Sequence, residues 1–105
     1  MFRMVYNKLV RDKIPEIIKE SGANPECIIL NEEEYELALR KKLEEEVAEF
    51  MESGSVEELA DIQEVILALV EAKGVSRDMF EIMRVGKLVE RGAFREKIFL
   101  KSVDE

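Results

Sequence analysis

The sequence predicts a mainly α, oligomeric fold: a four-helix unit around an antiparallel helix hairpin, with a small antiparallel strand pair. Three observations predict it. Helix-opening polar residues recur just ahead of apolar runs with a 3.6-residue period. The two longest of these runs are separated by little more than Ser53-Gly54. Two short β-prone runs, 26–30 and 97–103, lie outside the long helices.

The elements follow in order. Asp12 is a good N-cap and Pro15 is tolerated in a first turn, so a short helix is expected from about Asp12 to Ser21, with Gly22 as its terminator. Ile14, Ile17 and Ile18 would be its core residues. Glu26-Cys27-Ile28-Ile29-Leu30 reads as a short strand, expected to pair with Lys97-Ile98-Phe99-Leu100-Lys101-Ser102-Val103. Asn31 with Glu34 forms a capping box that opens a second helix running to about Glu52. Ser55 with Glu58 repeats that signal, and the third helix continues to Lys73 with Gly74 as its stop. So short a link makes the two helices an antiparallel hairpin. A fourth helix starts after Ser76 and ends at Gly92, carrying Met79, Phe80, Ile82, Met83, Val85, Leu88 and Val89. The apolar residues of the third helix extend beyond one stripe to Leu67 and Val70, which motivates at least a dimer.

Composition narrows the function. A chain of 105 residues with no linker or composition break is read as one domain, 1–105. Its net charge of -8 argues against polymeric nucleic acid or an anionic membrane as the main partner. A single cysteine, a start without a signal-peptide core and no apolar run near the ~20 residues of a membrane span lead to the expectation of a cytoplasmic protein. With no histidine, serine-histidine and cysteine-histidine catalysis and the usual zinc sites are excluded. Chemistry must rest on carboxylates, amines, guanidinium groups or a bound metal.

The second helix carries an apolar stripe of Tyr35, Leu39, Leu43, Val47 and Phe50, with Glu46 inside it and Glu49 at its edge. The third helix repeats the arrangement: Leu59, Ile62, Val65, Ile66 and Leu69 make the stripe, Glu58 falls inside it and Asp61 at its edge. In a hairpin turning near Ser53-Gly54, positions 46 and 61 lie at equal chain distance from the turn, as do 49 and 58. Glu46 should therefore face Asp61, and Glu49 should face Glu58, across helices packed about 8–10 Å apart. Four converging anions repel unless compensated, and a divalent cation resolves the conflict. Oxygen-only ligation suits magnesium or manganese. The bland alternative is chance: 24 acidic residues produce several i, i+3 pairs on solvated faces, and Glu58 has a second role open to it as the capping partner of Ser55. Glu36 also projects near the stripe, in the first turns, where an acid favours the helix dipole.

At these residues the sequence resembles the MazG-like all-α nucleoside triphosphate pyrophosphohydrolases, whose motif is Glu-Glu-x-x-Glu followed by Glu-x-x-Asp. Here it reads Glu45-Glu46-Val47-Ala48-Glu49 and then Glu58-Leu59-Ala60-Asp61. The opening Tyr6-Asn7-Lys8-Leu9-Val10-Arg11-Asp12-Lys13-Ile14-Pro15 is similar to a subgroup labelled phosphoribosyl-ATP pyrophosphohydrolase-like. Two departures are the short spacing between Glu49 and Glu58, and Arg91-Gly92-Ala93-Phe94 in place of Arg-Gly-Gly-Phe. The resemblance implies a dimeric or tetrameric helical enzyme that cleaves between the α and β phosphates of a nucleoside triphosphate, releasing a nucleoside monophosphate and pyrophosphate. Glu46, Glu49, Glu58 and Asp61 would be the magnesium ligands.

The phosphates need further cations. Lys8, Arg11 and Lys13 cluster around Asp12 at the start of the first helix, where main-chain amides could add anion contacts. Arg77, Arg84, Lys87 and Arg91 share a face of the fourth, with Arg95 just beyond, and arginine suits bidentate phosphate contacts. That second stripe reads equally well as a solvated face. With no histidine to accept a phosphoryl group, water attack on the α phosphorus is expected, with Glu49 positioning the water. Two other functions stay open: a non-catalytic helical interaction module, and a nucleotide sensor without turnover.

Overall fold

The computed structural model describes residues 3–105. Among the described residues the elements are four helices, α1 (Ile14–Glu20), α2 (Glu32–Ser53), α3 (Val56–Ala72) and α4 (Arg77–Arg91), and the fold is all-α. No helix among the described residues is long and apolar enough to cross a membrane.

Local chemistry sets most boundaries. The Asn31 side chain accepts a hydrogen bond from the Glu34 amide at 2.8 Å, and Glu34 Oε1 accepts one from the Asn31 amide at 3.2 Å, closing the expected capping box. Gly54 then ends α2 in the left-handed region (φ 66), where its amide reaches the Phe50 carbonyl at 2.7 Å. A side chain there would be strained, so this glycine makes the tight reversal into α3 possible. The second capping box does not form. Ser55 caps α3 by accepting from the Glu57 amide, while its own amide donates to Ser53 Oγ at 3.1 Å. Glu58 is thereby left out of the cap. α4 opens on Ser76, which accepts from the Met79 amide.

Two expectations are corrected. The first helix begins after Lys13, with no side-chain cap, rather than on Asp12; Pro15 in the first turn has no N–H, so one fewer donor there needs a capping acceptor. The strand pair is absent among the described residues: 26–30 and 97–103 carry no ladder, and Ile29 and Phe99 are 97% and 87% exposed. β propensity measures fit to a half-buried pleated surface, and neither segment has one to lie against; a lone two-stranded pairing is marginal in any case.

α2 and α3 pack along their length as the antiparallel hairpin, and α4 touches α3 more sparsely. The buried apolar residues are Leu39 and Val65, at mid-hairpin, flanked by half-buried Tyr35, Leu43, Phe50, Ile62, Ile66 and Leu69. The open end is fastened by charge: Glu36 on α2 accepts from Lys73 after α3 at 3.1 Å and pairs with Arg40 at 3.1 Å. The Lys73 ammonium, and secondarily Arg40, hold the Glu36 carboxyl below its usual range.

The molecule is elongated. Its radius of gyration is 18.6 Å, with extents of 65 × 32 × 25 Å, against roughly 13 Å expected for a compact chain of this length. Most of the apolar side of α4 faces outward, Val89 being 81% exposed; Phe80 alone on that helix is half-buried.

Candidate metal centre

The hairpin geometry brings three of the four predicted acids together. Glu46 from α2 and Glu58 and Asp61 from α3 offer carboxylate oxygens that all lie within 4.8 Å of one another. Oxygens sharing one magnesium ion are about 3–4 Å apart, given bonds of ~2.1 Å, so an ion would need only a slight contraction. Glu46 is 7% exposed, whereas Glu58 and Asp61 are half-buried and open to solvent on one side. Glu49, one turn beyond Glu46, is exposed and lies outside this trio. It still sits beside Glu46 and acts on it electrostatically.

Glu46 carries the chemical signal. Its Oε1 is 3.3 Å from Lys42 Nζ, while its Oε2 is buried without a hydrogen-bond partner. Burial pushes its carboxyl above the usual range; Lys42 opposes the rise, and neighbouring Glu49 adds to it. An orphaned buried carboxylate oxygen facing two more acids is a costly arrangement for a fold with so small a core. An all-oxygen donor set with one oxygen lacking a partner fits a hard divalent cation such as magnesium or manganese. Glu36 shows the contrast: it too projects near the stripe, but Lys73 and Arg40 already satisfy it.

The basic residues divide. Arg11 reaches from the segment before α1 to Asp61 Oδ1 at 2.7 Å, and Lys8 lies 3.7 Å from Glu45 Oε1 and 5.6 Å from the centre of the Tyr6 ring. Lys13 stands at the start of α1 and is exposed. Lys87, Arg91 and Arg95 are exposed and make no ion pair among the described residues. A cavity of about 320 Å³ adjoins the acids, lined by Arg11, Tyr35, Lys42, Glu46 and Asp61 among others, and α4 contributes Arg77 to it. Sequence reasoning missed Lys42. Its signal was there: it lies three residues after Leu39 and four before Glu46, on the same helical face, in the spacing that lets a cation meet a carboxylate.

Over 42 residues, 40% of its length, the chain is 55% identical to an uncharacterised protein of Mycolicibacterium smegmatis. The match spans 43% of that protein, less than half of it. No protein-family model matches the chain, and no solved structure matches it.

Proposed function

We propose that this protein is a magnesium-dependent nucleoside triphosphate pyrophosphohydrolase that releases a nucleoside monophosphate and pyrophosphate. The observation that carries the reading is the convergence of Glu46, Glu58 and Asp61 around a buried, unpartnered oxygen, beside a cavity that also presents Arg11, Lys42 and Arg77. The resemblance to the MazG-like enzymes supplies the reaction. Glu46, Glu58 and Asp61 would hold the ion, with Glu49, the exposed neighbour of Glu46, the candidate to orient water. When bound, magnesium would screen the phosphate oxygens and make water more acidic. Arg11 and Arg77 offer guanidinium groups to phosphate, and Lys8 and Lys13 lie on the same amino-terminal segment as Arg11. Lys87, Arg91 and Arg95 could reach phosphate only from a face that does not line this cavity.

The protein is further proposed to act in the cytoplasm as a homodimer or homotetramer, clearing non-standard or excess nucleotides. Support for association comes from the outward apolar side of α4 and the elongated shape. Those same surfaces favour the alternative of a non-catalytic helical interaction module. That alternative gives no reason for an unpartnered Glu46 oxygen beside two further acids.

Pyrophosphate release from a panel of nucleoside triphosphates, with and without magnesium, tests the reading. Turnover that requires magnesium or manganese, with monophosphate as co-product, is expected. Nucleotide binding without turnover would make the protein a sensor, and neither binding nor turnover would leave the interaction module. In isotopically labelled water the label should enter the monophosphate and not the pyrophosphate.

A further inference from the structure

The segment before α1 crosses both helices of the hairpin. Lys8 meets Glu45 on α2, Arg11 meets Asp61 on α3, and Leu9 through Asp12 line the cavity beside the acids. Among the described residues no backbone hydrogen bond ties residues 3–10 to either helix, so side-chain charges are the polar fastenings of this strap. The two cations touching the acidic trio differ in kind. Lys42 is 17% exposed and rises from α2 itself, whereas Arg11 is 56% exposed and belongs to the strap. Lys42 is thus a fixed partner and Arg11 a removable one.

We propose that Arg11 is a tethered counter-ion to the acidic trio, which a divalent cation displaces from Asp61, loosening the strap and freeing the guanidinium for an anionic ligand in the adjoining cavity. The inference rests on the metal-site reading above and adds the exchange. A monovalent group paired with one half-exposed carboxylate gains little from solvent-screened attraction. A divalent ion shared by three carboxylates, one of them with a buried unpartnered oxygen, gains far more. Once the ion is in place Asp61 no longer needs Arg11, and the two cations repel. Arg11 itself lines the cavity, so a guanidinium released from Asp61 is already placed where a phosphate or carboxylate would meet it.

Calorimetric titration of the full chain with magnesium chloride, for wild type, Arg11→Gln and Asp61→Asn, tests the exchange. Removing a competing cation should tighten magnesium binding by about two- to fivefold, the factor an exposed ion pair represents. A merely structural contact would leave affinity unchanged or weaken it. Asp61→Asn should weaken it. Trypsin cleavage after Lys8, followed by mass spectrometry, supplies a second readout: magnesium should speed it in wild type, while Arg11→Gln should be cleaved fast with or without the ion. Unchanged or weaker magnesium binding by Arg11→Gln, or slower cleavage of wild type with magnesium, would overturn the exchange and leave the metal site standing. Absence of magnesium binding in all three proteins would overturn the metal site, and the exchange with it.

Discussion

Glu46 is placed where a carboxylate is costly, and its surroundings dictate what its removal does. Because burial raises its pKa in the folded state, the sign of the pH linkage is fixed: the favourable contribution from its protonated form is complete below the ordinary carboxylate range and is lost as pH rises through the raised value. Metal-free protein should therefore lose stability over that window, and Glu46→Gln should flatten the loss, as read by urea denaturation at a series of pH values in chelator. The same variant should weaken magnesium binding by at least about tenfold, since even residues behind a metal ligand commonly contribute that much. A variant whose thermal shift with magnesium matches wild type would exclude Glu46 as a ligand. Lys42 behaves oppositely. Lys42→Met strips the one cation from Glu46 Oε1 and should destabilise metal-free protein by about 1–3 kcal/mol, a cost magnesium should partly offset. Glu46 was legible in the sequence because helical periodicity alone places position 46 inside an apolar stripe. Arg11 against Asp61 was not, since fifty residues separate them and only the fold brings a strap across α3. Glu49 was read as a ligand from its place at the stripe edge, and three residues of helix are enough to carry an edge position out to solvent.

Within the elements, legibility followed sequence distance. The Asn31 capping box and the Gly54 reversal were readable because each is satisfied inside a single turn of chain. The strand pair was misread because its two halves lie about seventy residues apart, and β-prone composition does not say whether a partner edge arrives. The Ser55 box fell between: the motif was present, but Ser53 Oγ took the amide that Glu58 was expected to cap, and the Glu58 carboxylate lies with Glu46 and Asp61 instead. Gly54 tests how far the hairpin turn sets the site. A Cβ there meets nothing within 4 Å, so Gly54→Ala pays only for the left-handed backbone, about 1 kcal/mol. Its denaturation midpoint should fall while its magnesium affinity stays at the wild-type value, because the acids lie two and more turns of helix from Gly54 on the α2 side and beyond one turn on α3. A fall in affinity larger than about threefold would mean that the turn geometry, rather than packing of Leu39 against α3, sets the register of the acids.

At the scale of the molecule, the hairpin alone has too little interior. Leu39 and Val65 are the apolar side chains it buries, while Ile82, Val89, Phe94 and Phe99 lie more than half exposed on α4 and the segment that follows. The proposed association would cover this surface with a second copy of the same chain, each α4 meeting the other or the back of a hairpin. The basic stripe of Arg77, Arg84, Lys87 and Arg91 on α4 and the acidic outer side of α2 are complementary in sign, so the proposed contact between copies could also pair them. Arg84 is partly occupied already by Glu81, which lowers the Glu81 pKa and raises that of Arg84. If folding and association are coupled in this way, the melting temperature should rise with protein concentration, since the associated state is favoured by mass action. Sedimentation at micromolar concentration should show a dimer or tetramer. Val89→Glu, which puts a charge into the outward apolar side of α4 and touches none of the acids, should weaken association about tenfold or more and lower the melting temperature at a fixed concentration. A wild-type monomer at micromolar concentration, with a melting temperature independent of dilution, would overturn the proposed self-association through α4.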